Sequence, residues 1–303
     1  MKEERFQFKK IDAFATEKSE GNPAGMIMLH PSEEITDEKM QQIAKELKGF
    51  VSETGFVFPE SDEKFRLKYY SSEKEVNFCG HATIAILYEL FSSIDSLKTK
   101  KQIKIQTNDG ELTVENRIDE EKSVFIMSPS PKYHSISPSA KDIALALNIE
   151  TEEINTEYPI EIIDAGLITL LVPIRSLKTV LQMNPDFFAL REFSQKHQIH
   201  IIEVFSDETS VPENDFRVRV FAATFGYLED PATGSGNSAL GYYLLQHQLW
   251  KRPVIRIEQN QYRDRFNIVQ LRKMTDMNGN IRVSFGGGAI KKIEGEYILY
   301  SNS

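Results

Sequence analysis

Cys79-Gly80-His81-Ala82-Thr83 and Asp230-Pro231-Ala232-Thr233-Gly234-Ser235-Gly236 set a thiol, an imidazole, a carboxylate and several hydroxyls around glycines. Each stretch opens an apolar helix after a strand-like run. It therefore offers backbone N–H groups and the positive end of a helix dipole to an anion. Two such termini suit a small carboxylate. Glu53, flanked by Phe50 and Phe56, is the candidate proton carrier: partial burial would raise its pKa toward neutrality. The plainer alternative is an exposed acid at a strand start. His81, in the first turn of its helix, is expected as a neutral ring, because a helix N-terminus disfavours imidazolium. No second histidine stands at metal-ligand spacing to it, so no metal is expected there. Cys79, at the same terminus, is expected to have a lowered thiol pKa.

Other chemistries fit less well. Asp230, Thr233 and Ser235 would also serve as turn formers and helix caps. Ser235 lacks a Gly-x-Ser-x-Gly elbow and an adjacent base, which argues against a serine hydrolase. A racemase that exchanges a proton between two thiols needs two cysteines, and the chain has one; the position matching Cys79 in the second half is Thr233. Phe285-Gly286-Gly287-Gly288-Ala289 has no following Lys-Ser or Lys-Thr and reads as a close-packed strand turn rather than a phosphate loop.

The elements that must hold these residues repeat. Phe65–Tyr70 precedes the first glycine stretch and Phe216–Phe221 the second; setting His81 against Ser235 pairs Ala85 with Ala239 and Tyr88 with Tyr242. Gln102–Thr107 and Val254–Glu258 follow in the same order, and Ala24-Gly25-Met26-Ile27 is similar to Ala165-Gly166-Leu167-Ile168. The order of elements points to a duplicated unit. Short extended runs at Phe6–Phe14, Gly25–Leu29, Gly55–Phe58 and Phe65–Tyr70 alternate with hairpin signals at Asn108-Asp109-Gly110 and Asn278-Gly279, which predicts mixed, largely antiparallel sheets. His81–Phe91 and Ser238–Leu245 are apolar nearly all round, so each must be covered on every side and is placed inside a curled sheet. Asp37–Lys48 and Asp186–Lys196 are amphipathic and belong outside.

The 303 residues, 40% of them apolar, provide material for two cores. The expected lobes are 1–128 with roughly 288–303, and 129–287, with the boundary in the proline- and serine-rich stretch 127–138. A net charge of −9 without a basic stripe disfavours nucleic acid and anionic membrane as partners. With no apolar leader, no long apolar run and one cysteine, the expectation is a cytoplasmic protein without an internal disulfide.

Ile11-Asp12-Ala13-Phe14, Gly21-Asn22-Pro23-Ala24-Gly25, Ser52-Glu53-Thr54-Gly55-Phe56-Val57, Cys79-Gly80-His81-Ala82-Thr83 and Glu229-Asp230-Pro231-Ala232-Thr233-Gly234-Ser235 together resemble the ordered signature motifs of the PhzF family of phenazine-biosynthesis-like isomerases. The resemblance covers essentially the whole chain. It implies an α+β fold of the diaminopimelate epimerase type: two pseudosymmetric domains, each a sheet around a central helix, with the active site in the cleft between them. It implies a homodimer, no cofactor and a small carboxylate substrate. Glu53 matches the family's proton-moving glutamate, and His81, Asp230 and Ser235 match its polar partners. Asp12, Asn22, Gly80, Gly234 and Gly236 would line the substrate, the glycines by letting backbone N–H groups approach a carboxylate. The expected reaction moves a proton between carbons of a small carboxylate, an amino acid or a dihydroaromatic acid. The alternative is a binding or protein-interaction module that keeps the fold without turnover.

Overall fold

A computed structural model describes residues 2–30, 33–136 and 138–301. Met1, Asn302 and Ser303, at the ends of the expected first lobe, lie outside the described residues, as do Pro31, Ser32 and Ser137, the last within the expected boundary stretch. The chain divides into two units, Met1–Ile126 with Gly286–Ser303, and Met127–Phe285.

In the first unit the opening strand, Lys2–Ala13, pairs antiparallel with Asn22–Met28 on one side and with Ala289–Ser301 on the other. Asn22–Met28 runs parallel to Glu53–Ser61, which pairs antiparallel with Lys64–Ser71. Lys64–Ser71 lies parallel to Gln102–Thr107, and the Asn108-Asp109 turn returns that strand as Gly110–Arg117. The first turn is held by Gly21, which has a φ of +67° and where a Cβ would lie 2.6 Å from the Ala13 carbonyl oxygen, so no side chain fits. Helix Gly80–Ser93 packs on the strands at both ends of this order. Nearly every residue from Ala82 to Phe91 is buried, the outcome its all-round apolar sequence predicts. Its one acid, Glu89, is buried and held by Lys9 at 2.6 Å and Lys291 at 3.1 Å, since a buried carboxylate without a partner would be costly.

The second unit repeats the plan. Ile168–Pro173 runs parallel to Ile201–Ser206, which pairs antiparallel with Phe216–Phe221; that strand lies parallel to Val254–Gln259, itself antiparallel to Asn267–Thr275. Helix Gly234–Gln246 is buried along most of its length against Glu161–Asp164, Ile168–Pro173 and Asn267–Thr275. The registers correspond. Phe65 faces Ile105 as Phe216 faces Ile257, and Tyr69 faces Val76 as Val220 faces Asp230. One sequence match does not hold: the register puts Leu170, not Gly166, at the position of Gly25. Gly166 instead lies in the turn before its strand, at a φ of +111°.

Amphipathic helices Asp37–Glu46 and Phe187–Lys196 are capped by Thr36 and Asp186, whose side chains accept the N–H of Lys39 and Ala189.

Candidate active site

Glu53 begins the strand that lies beside Asn22–Met28, in register with Ala24. The residue before it is pinned twice. Ser52 N–H donates to the Pro23 carbonyl at 2.9 Å, and Ser52 Oγ donates to Asn22 Oδ1 at 3.2 Å. Asn22 thus holds the entry to the Glu53 strand. Asp12 stands opposite Pro23 on the neighbouring strand, buried and 2.5 Å from Lys10 Nζ. Gly80 is the first residue of its helix, and Cys79, the cap residue, makes no side-chain cap bond.

Cys79 and His81 therefore present their side chains at an uncapped helix terminus, and Glu53 meets them there. His81 Nε2 lies 3.2 Å from Glu53 Oε2, without the alignment of a good hydrogen bond. Cys79 Sγ lies 3.5 Å from His81 Nδ1 and donates to Glu53 Oε2 at 3.8 Å. The electrostatics differ from the sequence expectation at all three residues. Burial does act to raise Glu53, but the approach of His81 and the Cys79 thiol outweigh it, and the carboxyl is held below its ordinary value. Burial and the helix terminus disfavour a charged His81, but the neighbouring Cys79 sulfur and Glu53 carboxylate act the other way and shift it well above its ordinary value, opposite to the neutral ring expected. Burial pushes the Cys79 thiol up, not down. The three groups are thus shifted against the sequence expectation, Glu53 down, His81 up and Cys79 up.

The second unit builds its terminus differently. Thr233 Oγ1 donates to Asp230 Oδ2 at 2.6 Å. Gln259, fully buried on the adjacent strand, closes the loop between them: its Oε1 accepts Thr233 N–H at 3.0 Å and Asn237 Nδ2 at 2.8 Å, and its Nε2 donates to the Asp230 carbonyl at 2.9 Å and Thr233 Oγ1 at 3.2 Å. Because Thr233 Oγ1 accepts from Gln259, its own hydrogen goes to Asp230. Asn267 Nδ2 adds a bond to the Pro231 carbonyl at 2.7 Å. Ser235 lies in the first turn of the helix, its Oγ beside Gly166. A Cβ on Gly234 would lie 2.4 Å from the Phe285 ring, and one on Gly236 2.6 Å from Glu203 Oε2, so packing also requires both glycines.

Sequence reasoning missed Gln259, Asn267 and Glu203. Gln259 and Asn267 come from strands with no motif of their own. Glu203 carried a signal, a lone acid within Ile-Ile-Glu-Val-Phe-Ser; it is fully buried, and neither carboxyl oxygen has a hydrogen-bond partner among the described residues. Burial alone drives it well above its ordinary value and favours the neutral form.

Mixed strands packed on a buried helix with a polar N-terminus, found in both units, define the epimerase-like class of fold. A hydroxyproline epimerase from Agrobacterium vitis has this fold, with a TM-score of 0.62 at 14% identity, covering 97% of this chain and 93% of that one. A PhzF family protein from Bacillus anthracis superposes with a TM-score of 0.86 at 23% identity over 98% of this chain and all of that one. In sequence, the chain is 30% identical to an uncharacterized isomerase of Clostridium acetobutylicum, covering 97% of this chain and 99% of the relative. The family model for phenazine biosynthesis-like proteins matches residues 11–295. The chain belongs to this PhzF family of isomerases.

Proposed function

We propose that the protein moves a proton between carbons of a small carboxylate, with Glu53 as the acid–base group. The observation that carries this is the Glu53 carboxylate held ionised beside His81 at a helix N-terminus. A carboxylate below its ordinary pKa is a weak base, so it suits an already activated C–H, such as one flanked by unsaturation in a dihydroaromatic amino acid. The carboxyl formed by that step then returns the proton to another carbon. His81 steadies the negative charge that develops, and backbone N–H groups at Gly80, Gly234 and Gly236 receive the substrate carboxylate. Asp230 and Ser235 serve to hold a substrate amine or hydroxyl. Asp12 and Asn22 line the same reaction centre. The reading includes a homodimer in the cytoplasm with no cofactor, and no nucleic-acid partner, in keeping with the net charge of −9. Among the described residues no helix is long and apolar enough to cross a membrane.

Proton NMR in D2O against a panel of dihydroaromatic and ordinary amino acids tests this. Wild type should introduce deuterium at a substrate carbon, and Glu53→Gln should lower the rate by about 10²–10⁴-fold, the contribution of one positioned acid–base group. Undiminished exchange in the variant would remove Glu53 from the reaction.

A further inference from the structure

Glu53, Cys79 and His81 bring three different metal-binding donors together: a carboxylate oxygen, a sulfur and an imidazole nitrogen, all within 4.8 Å of one another. We propose that this cluster is a binding site for a borderline-soft divalent cation, zinc above all. The spacing supports it. Zinc bonds of about 2.3 Å to sulfur and about 2.0–2.2 Å to nitrogen and oxygen, at tetrahedral angles, set donors about 3.4–3.6 Å apart. The observed separations are 3.5 Å from sulfur to Nδ1 and 3.8 Å from sulfur to carboxylate, while the 3.2 Å approach to the carboxylate is made by the other ring nitrogen, Nε2. One ion therefore requires the imidazole to turn until a single nitrogen, already within 4.8 Å of both other donors, points at them. The donors come from a strand start and a helix terminus fixed by the sheet, so little ordering is needed on binding. The His81 and Glu53 side chains are 12% and 24% exposed, so the cluster is partly open to solvent. Mixed sulfur, nitrogen and oxygen donors favour zinc or cobalt over magnesium or calcium. Such an ion would occupy the carboxylate that the proposed reaction uses.

The site can be tested without any substrate, and so independently of the isomerase reading. Cys79 is the only cysteine in the chain, so a thiolate-to-cobalt charge-transfer band identifies this position. Tag-free protein, first stripped with chelator, is titrated with Co²⁺. The expected result is that band, with tetrahedral d–d absorption, saturating at one equivalent and displaced by Zn²⁺. Glu53→Gln, close in shape, should weaken Co²⁺ binding by at least about tenfold, since even outer-shell losses cost about 10–100-fold. Cys79→Ser should lose the charge-transfer band; if it does not fold, alkylation of Cys79 in the folded wild type replaces it. No band in wild type, or unchanged affinity in folded Glu53→Gln, overturns the proposal. Where the wild type exchanges deuterium, Zn²⁺ should suppress exchange and chelator restore it.

Discussion

The two units share strand registers yet arm their central helices differently. In the first, Glu53 starts the strand and Cys79 and His81 flank the helix entry. In the second, the corresponding positions are Ile201, Thr233 and Ser235, while an acid stands at Asp230, where the first unit has Val76. In the first unit the terminus is lined by groups that titrate, Glu53, Cys79 and His81, each shifted by the others. In the second it is fixed by amide and hydroxyl donors that cannot titrate. A duplicated scaffold thus separates a terminus of titratable groups from one of fixed hydrogen-bond donors.

The contrast is broken most strongly at His81. His81→Gln removes what holds Glu53 down, so burial prevails and the carboxyl rises; exchange near neutral pH should fall about 10²-fold. The acid limb of the pH profile should move upward. Ser235→Ala, at the matching position, should leave that limb in place. The same pair sets a stability window. Glu53 contributes above its ordinary value and loses its contribution as pH falls through its lowered folded value. His81 contributes below its ordinary 6.5 and loses it as pH rises through its raised folded value. Thermal melts across pH should show both edges soften in His81→Gln.

Next comes the fixed terminus. Gln259→Leu leaves the Thr233 N–H and the Asn237 amide without their acceptor, at about 1–3 kcal/mol for each group. The melting temperature should fall by several degrees, and an unchanged value would show that Gln259 is dispensable. Gly236→Ala drives a methyl into Glu203 and should cost about 1–3 kcal/mol by overpacking, read from denaturant midpoints. The smallest effect is at Glu203. Its folded value lies well above the ordinary 4.5, so its contribution is complete below that ordinary value and falls as pH climbs toward the folded one. Glu203→Gln should therefore gain melting temperature relative to wild type at pH 8 and little at pH 5.

Much of this architecture is legible from residues alone. His81–Phe91 had no polar face to expose, Asn108-Asp109-Gly110 dictated a hairpin, and the order of motifs marked Glu53, His81 and Asp230. The protonation states were not legible, because Glu53 and His81 stand 28 residues apart in sequence and each sets the other's charge. Propensity gives burial, which pointed the wrong way for Glu53. The Gln259 clamp was hidden for a similar reason: its four bonds reach residues 22 to 29 positions away, and an isolated glutamine in a strand carries no pattern.

Gly55 and Glu203 hold the same place in the two units, and they solve the packing from opposite walls. In the first, a bare strand position admits Ile86 from the helix, within 2.3 Å of where a Cβ would stand; in the second, a bare helix position at Gly236 admits Glu203 from the strand. The halves can therefore no longer trade residues one at a time. Copying either wall alone from one half to the other produces a collision or a void, so any recombination between the repeats must carry strand and helix together. This lock allows the two copies to keep a common frame while their chemistries drift apart.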